Sequence, residues 1–165
     1  MENDNQVIKM KKEIQIRKMK KSDLPQLQEM YRDLIPEGVS MEVLENNYYR
    51  TVDRPEYFLA VAADGDKVLG STMGIVCIAL DAPFLVVENV IVSGECRGQG
   101  VGRKIFEALD EFALKNQCEY ALLVSSGFRT GAHRFYEEVG FTDDVRGFGN
   151  YHKKIILSYI YCLTG

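Results

Sequence analysis

Four glycines, Gly94, Gly98, Gly100 and Gly102, fall within nine residues of a 165-residue chain. The segment reads Glu95-Cys96-Arg97-Gly98-Gln99-Gly100-Val101-Gly102-Arg103-Lys104. It lies between a run of strand character and a run of helical character. A helix start leaves its first backbone N–H groups without helical acceptors, and the helix dipole adds partial positive charge there. Glycine permits positive φ and lets a ligand approach the main chain closely. Together these features suit a pyrophosphate, and Arg97 and Arg103 could add charge-assisted contacts. A G-x-G-x-x-G dinucleotide fingerprint is not met, because its third glycine falls on Arg103. A Walker A loop is not met either, because Gly102-Arg103-Lys104 lacks the G-K-[ST] ending. A glycine-rich turn without a ligand is the plain alternative.

Two further residues could do chemistry. Glu88 stands in Phe84-Leu85-Val86-Val87-Glu88-Asn89-Val90-Ile91-Val92, which is apolar nearly throughout. A lone carboxylate there is costly unless it is paired or faces a cavity. Cys96 has Arg97 and Arg103 as neighbours, and nearby cations favour a thiolate. A loop cysteine without a catalytic part is the commoner case. Cys77, Cys96, Cys118 and Cys162 lie far apart and form no C-x-x-C pair, and His133 and His152 are the only histidines. Neither a disulfide framework nor a metal site is expected from so few and so dispersed ligands.

The elements that must position these residues can be read from hydrophobic period. Residues 1–12 are polar and aperiodic and read as a flexible leader. Glu13 to Met19 alternates polar and apolar, as a strand with one buried face does. Leu24, Leu27, Met30, Tyr31, Leu34 and Ile35 recur at helical spacing, with Pro25 tolerable in a first turn and Pro36 and Gly38 as stops. A second helix is expected over about residues 40–50, with Ser40 as its N-cap. Asp64-Gly65-Asp66 separates two strand-like runs and marks a tight hairpin. The run holding Glu88 reads as a central strand covered on both faces.

After the glycines comes an amphipathic helix, with Ile105, Phe106, Leu109, Phe112 and Ala113 on one face. Tyr120 to Val124 reads as a buried strand. A helix is expected from about Thr130 to Val139, ended by Gly140. Tyr151 to Leu163 supplies one or two closing strands. The order describes a single α/β domain with a mixed sheet.

Composition narrows the classes. Hydrophobic residues make up 46% and charged residues 27%, close to globular averages, so a disordered chain is excluded. The net charge of −4 provides no general basic field, and no nucleic-acid partner is expected. No run approaches the roughly 20 apolar residues of a membrane span. No targeting signal is visible, which makes a cytoplasmic location the default expectation. The terminal run Tyr159-Ile160-Tyr161-Cys162-Leu163 could pair across a dimer, so monomer and homodimer both stay open.

Arg97-Gly98-Gln99-Gly100-Val101-Gly102 resembles the R/Q-x-x-G-x-G/A motif of the GCN5-related N-acetyltransferases (GNAT). Ala132-His133-Arg134-Phe135-Tyr136-Glu137-Glu138-Val139-Gly140-Phe141 looks like that family's A-x-x-F-Y-x-x-x-G-F segment. Both motifs occur in the family's order, and the resemblance runs from about Glu13 to the C-terminus. It implies an acetyltransferase domain over 13–165 and a mixed, mostly antiparallel sheet of six to seven strands. About four helices accompany the sheet, which is splayed between its fourth and fifth strands.

The resemblance also implies roles. Arg97, Gly98, Gln99, Gly100, Val101, Gly102 and Arg103 would cradle the pyrophosphate of acetyl-CoA. Val90, Ile91 and Val92 would pair with the pantetheine arm as an added strand does. Tyr136 would protonate or hydrogen-bond the departing thiolate. Glu88 would be the base that deprotonates the amine, directly or through a water. Arg129 stands where many members place an asparagine that contacts CoA, and a guanidinium could still do so or could line the substrate slot. Glu29, Asp33, Glu37, Glu42 and Glu45, with Tyr48 and Tyr49, suggest an acidic, aromatic acceptor wall that favours a cationic amine.

The expected function is acetyl transfer from acetyl-CoA to a primary amine of a small molecule, by direct attack in a ternary complex. A CoA-binding module without catalysis is one alternative. Acetylation of protein N-termini or lysines is another.

Overall fold

The computed structural model describes residues 13–143. The strands are β1 (Gln15–Lys18), β2 (Tyr57–Asp64), β3 (Lys67–Ile78), β4 (Pro83–Val92) and β5 (Tyr120–Leu123). The helices are α1 (Leu24–Met30) and α2 (Met41–Thr51) between β1 and β2, α3 (Val101–Lys115) between β4 and β5, and α4 (Thr130–Glu138) after β5. The strands form one sheet in the order β1-β2-β3-β4-β5. The pairs β1–β2, β2–β3 and β3–β4 are antiparallel. At the start of β4 and β5, the Glu119 N–H donates to the Pro83 carbonyl at 2.9 Å. Two compact units divide the chain, one ending at Leu122 and the other starting at Leu123.

The element order agrees with the sequence period. The strand number needs correction: the described residues hold five strands, where six to seven are expected. The difference is the closing strands expected over Tyr151 to Leu163, which lie outside the described residues. The first helix is also shorter than its apolar spacing suggests. It is helical to Met30 and then tightens into a 3-10 turn at Tyr31–Asp33. Pro36 and Gly38, at φ +74°, follow before a new helix starts. Ser40 caps α2 as expected, its Oγ accepting the Val43 N–H at 3.3 Å. The β2–β3 hairpin turns at Gly65, whose φ of +59° suits a glycine.

Side chains alternate across the sheet, so each strand feeds two layers. On one face Leu24, Leu27 and Tyr31 pack on Leu59, Val61, Ala63, Val68 and Ile91. On the other, buried Ile105, Phe106 and Leu109 of α3 cover the sheet, and Phe112 stacks on Phe58 with ring centroids 5.0 Å apart. Each such large apolar side chain contributes roughly 1.5–3 kcal/mol on burial.

An ion pair fixes the entry to α1. Arg17 grips the two carboxylate oxygens of Asp23 at 2.8 Å each, and the Lys20 N–H donates to the same carboxylate at 2.7 Å. Burial pushes the Asp23 carboxyl up. The Arg17 guanidinium and the Lys20 N–H outweigh it and hold the carboxyl below its usual range.

Candidate active site

The region around β4 is built on a bulge. Met73 of β3 stands opposite Glu88, whereas Ser71 stands opposite Ile91. Two steps along β3 thus correspond to three along β4, leaving one extra residue on β4. Asn89 absorbs it at φ +52°, a conformation asparagine tolerates better than most residues. The extra residue changes the strand's parity. Glu88 and Ile91 therefore share the face covered by α1, although an unbulged strand would send them to opposite faces.

Gly70 lets β3 approach from behind. A Cβ there would lie 2.7 Å from the Ile91 carbonyl oxygen and 3.1 Å from Ile105 Cδ1. Backbone cannot yield as a flexible side-chain tip can. Gly70→Ala is therefore expected to cost about 1–3 kcal/mol as overpacking. A thermal melt should fall by several degrees, whereas Gly94→Ala, with nothing within 4 Å of its built Cβ, should hardly change it. Equal melts for the two variants would refute the close approach.

β4 runs on into the glycine turn. The Ser93 N–H donates to Leu69 O at 2.9 Å, and a 3-10 turn over Gly94–Cys96 follows. Cys96 is 1% exposed, so its side chain is a packing anchor of the turn rather than a presented nucleophile. Gly98 and Gly100 have φ of +72° and +81°, with nothing within 4 Å of a Cβ built on either. Their need for glycine is conformational, and the space outside them is open.

Gly100 is the N-cap of α3 and supplies no side-chain cap. The Val101, Gly102 and Arg103 N–H groups begin the helix and have no helical carbonyl to meet. The contrast with Ser40 at α2 is direct: one helix start has a hydroxyl cap and the other has no side-chain cap. Arg97, at the turn, donates from Nε to Val92 O at 3.3 Å and pairs through Nη2 with Asp33 at 3.0 Å.

Glu88 is exposed, which corrects the expectation of a strand covered on both faces along its length. Leu85 and Val87 are buried on the opposite face, Ile91 is buried beyond the bulge, and Glu88 falls on the exposed side of the alternation. Partial burial still desolvates the carboxyl and raises its pKa above the usual 4.5. That is the direction a general base near neutral pH needs.

The second unit holds α4. Its C-terminus is a Schellman motif: the Gly140 N–H donates to Glu137 O at 3.1 Å and the Phe141 N–H to Tyr136 O at 3.0 Å. Gly140 takes φ +104°, and the Phe141 ring lies 6.4 Å from that of Tyr136. The spacing Tyr136…Gly140-Phe141 is thus a device that ends the helix and braces the tyrosine. Tyr136 is 9% exposed. Burial raises its phenol pKa, with Arg129 opposing, so the hydroxyl keeps its proton at neutral pH and can donate it. Arg129 precedes the helix at its N-cap position.

The acidic wall expected from sequence is not uniformly acidic. Glu29 pairs with Arg32 at 3.4 Å, Glu45 with Lys21 at 3.3 Å and Asp33 with Arg97 at 3.0 Å. A cavity of about 470 Å³ at the connection from α1 to α2 is lined by Gln28, Arg32, Glu37 and Ser40 among others. Its charge is mixed, because Arg32 and Glu37 both line it.

The first unit therefore joins Glu88, Val90, Ile91, Val92 and the turn from Arg97 to Arg103 in one continuous strand, turn and helix. Tyr136 and Arg129 share α4 and its start in the second unit. Sequence reasoning missed Gly70 and Asn89. A glycine and an asparagine inside strand-like runs were the available signals. Among the described residues no group of His, Cys, Asp and Glu could hold a metal ion, and no helix is long and apolar enough to cross a membrane.

A bulged strand leads through a glycine turn into an uncapped helix within this α/β sheet, the arrangement of the first resembled motif. The family model "Acetyltransferase (GNAT) family" matches residues 24–141, and the chain belongs to that family. A solved structure from Agrobacterium tumefaciens str. C58, assigned as an acetyltransferase, is 25% identical with a TM-score of 0.75, over 84% of this chain and 99% of the other. Glucosamine-6-phosphate N-acetyltransferase from Arabidopsis thaliana is 19% identical with a TM-score of 0.73, over 85% and 99%. An aminoglycoside acetyltransferase from an uncultured soil metagenomic sample, in complex with trehalose, is 19% identical with a TM-score of 0.70, over 85% and 95%. The curated proteins contain no match to the chain.

Proposed function

We propose that the chain is an acetyl-CoA-dependent N-acetyltransferase acting on a primary amine of a small molecule by direct transfer. The observation that carries this reading is the α3 start, uncapped and opened by Gly98 and Gly100 at positive φ, directly after the bulged β4. The N–H groups of that turn donate to the pyrophosphate. Val90, Ile91 and Val92 hold the pantetheine arm at a splay between β4 and β5. Acetyl-CoA supplies the thioester carbonyl that the amine attacks. Glu88, with its raised pKa, takes the proton from the amine, directly or through a water. Tyr136, protonated at neutral pH, donates to the departing thiolate.

The domain in this reading spans 13–165 behind a leader of 1–12. It works in the cytoplasm as a monomer or homodimer, without a metal. The mixed charge between α1 and α2 favours a polar small molecule over a purely cationic one.

The test is thiol release from acetyl-CoA over a panel of simple amines, amino acids, amino sugars, aminoglycosides and peptides. The amino sugars and aminoglycosides are included because two structures of the same fold are named for such acceptors. Release is expected with at least one small amine and not with acetyl-CoA alone. Tight CoA binding with no release across the panel would instead establish a binding module. Release confined to peptides would establish a protein acetyltransferase.

A further inference from the structure

Resting on the acetyl-CoA reading above, we infer that Asp33 is an internal competitor for the cosubstrate cradle. Its carboxylate occupies the Arg97 guanidinium that the pyrophosphate must take. Arg97 directly precedes Gly98, and its Nη2 lies 3.0 Å from Asp33 Oδ2. Its Nε is tied to Val92 O at 3.3 Å, which keeps the guanidinium at the mouth of the turn. Asp33 comes from the 3-10 turn that ends the α1 segment, far away in sequence. The nearby carboxylate of Glu95 is engaged by Lys67 at 3.0 Å. Among the ion pairs of the described residues, Asp33 is the carboxylate that holds Arg97.

The chemistry of the exchange is simple. A carboxylate and a phosphate offer a guanidinium the same pair of acceptor oxygens, and a pyrophosphate brings more charge. The Arg97 and Asp33 side chains are 62% and 60% exposed, so their bond is weak enough to be displaced. When acetyl-CoA binds, Arg97 turns to the pyrophosphate and Asp33 is released. Filling the cradle thereby loosens the end of the α1 segment, next to the cavity that Gln28 and Arg32 line. No covalent step is involved.

The experiment is a double-mutant cycle on acetyl-CoA affinity, read by calorimetry with acetyl-pantetheine as a probe that lacks the pyrophosphate. Asp33→Asn is expected to tighten acetyl-CoA by about two- to fivefold, the worth of an exposed ion pair, and to leave acetyl-pantetheine unchanged. Arg97→Ala is expected to weaken acetyl-CoA, and adding Asp33→Asn to it should give no gain. An equal gain in the Arg97→Ala background would show a general charge effect and overturn the inference. So would unchanged affinity in Asp33→Asn. If Gly100→Asp abolishes binding while Asp33→Asn changes nothing, the cradle stands and the competitor alone falls. If the unaltered protein does not bind acetyl-CoA, the functional reading falls with it.

Discussion

Gly100→Asp is expected to weaken acetyl-CoA binding about a hundredfold while leaving the protein folded. Gly100 sits at φ +81° with open space where a side chain would go, so the substitution meets no steric wall. The left-handed conformation costs a side chain on the order of 1–2 kcal/mol, less for aspartate than for most residues. Aspartate is also among the best N-cap residues. Its carboxylate would stand before the N–H groups at the start of α3, from a left-handed N-cap rather than the extended one of Ser40. Those are the groups that the pyrophosphate needs. Losing charge-assisted hydrogen bonds, at about 1.5–3 kcal/mol each, and placing a negative charge against the pyrophosphate together account for about two decades. Gly100→Ala separates the terms, since it brings the backbone strain without the competing carboxylate and should weaken binding far less. Calorimetry with acetyl-CoA and a parallel thermal melt are sufficient. Wild-type affinity in Gly100→Asp would remove the turn from cosubstrate binding.

The second large effect belongs to Glu88→Gln. A positioned general base contributes roughly 10²–10⁴-fold, and loss of kcat/KM in that range is expected near neutral pH. The pH profile carries the sharper information. Glu88 has a raised pKa because partial burial desolvates it, so the unaltered enzyme should gain activity as pH rises through a value above 4.5. That limb should vanish in Glu88→Gln.

Stability should move the other way. A carboxyl whose pKa is higher folded than unfolded binds its proton more tightly in the folded state. It favours folding below that pKa and opposes folding as it ionises at higher pH. Removing the charge should therefore leave the neutral-pH melt unchanged or slightly raised. A loss of activity accompanied by a lower melt would point to structural damage. Superimposable pH profiles would take Glu88 out of the chemistry.

Much of this machinery was legible in the residues themselves. Local rules act over a few positions, and they fixed the Ser40 cap, the Gly65 hairpin, the amphipathic face of α3 and the glycine turn before it. The same rules explain why Gly140 and Phe141 follow Tyr136 at that spacing, since a Schellman ending needs a left-handed residue and an apolar one there. Even the chemical character of the α3 start follows from sequence, because a glycine N-cap brings no acceptor of its own.

The tertiary structure decided what depends on partners distant in the chain. An asparagine inside a strand-like run hints at an irregularity, but Asn89 alone does not say that a residue is added against β3. Only the register with Ser71 and Met73 shows that Glu88 and Ile91 share a face. Gly70 is necessary because the Ile91 carbonyl arrives from another strand. Glu45 and Asp33 read as part of a negative wall until Lys21 and Arg97 come to meet them from other elements. Backbone conformation and capping are short-range, so type and spacing reveal them. Register, close approach and charge pairing are long-range, set by which surfaces the hydrophobic layers bring into contact, and no local pattern encodes them.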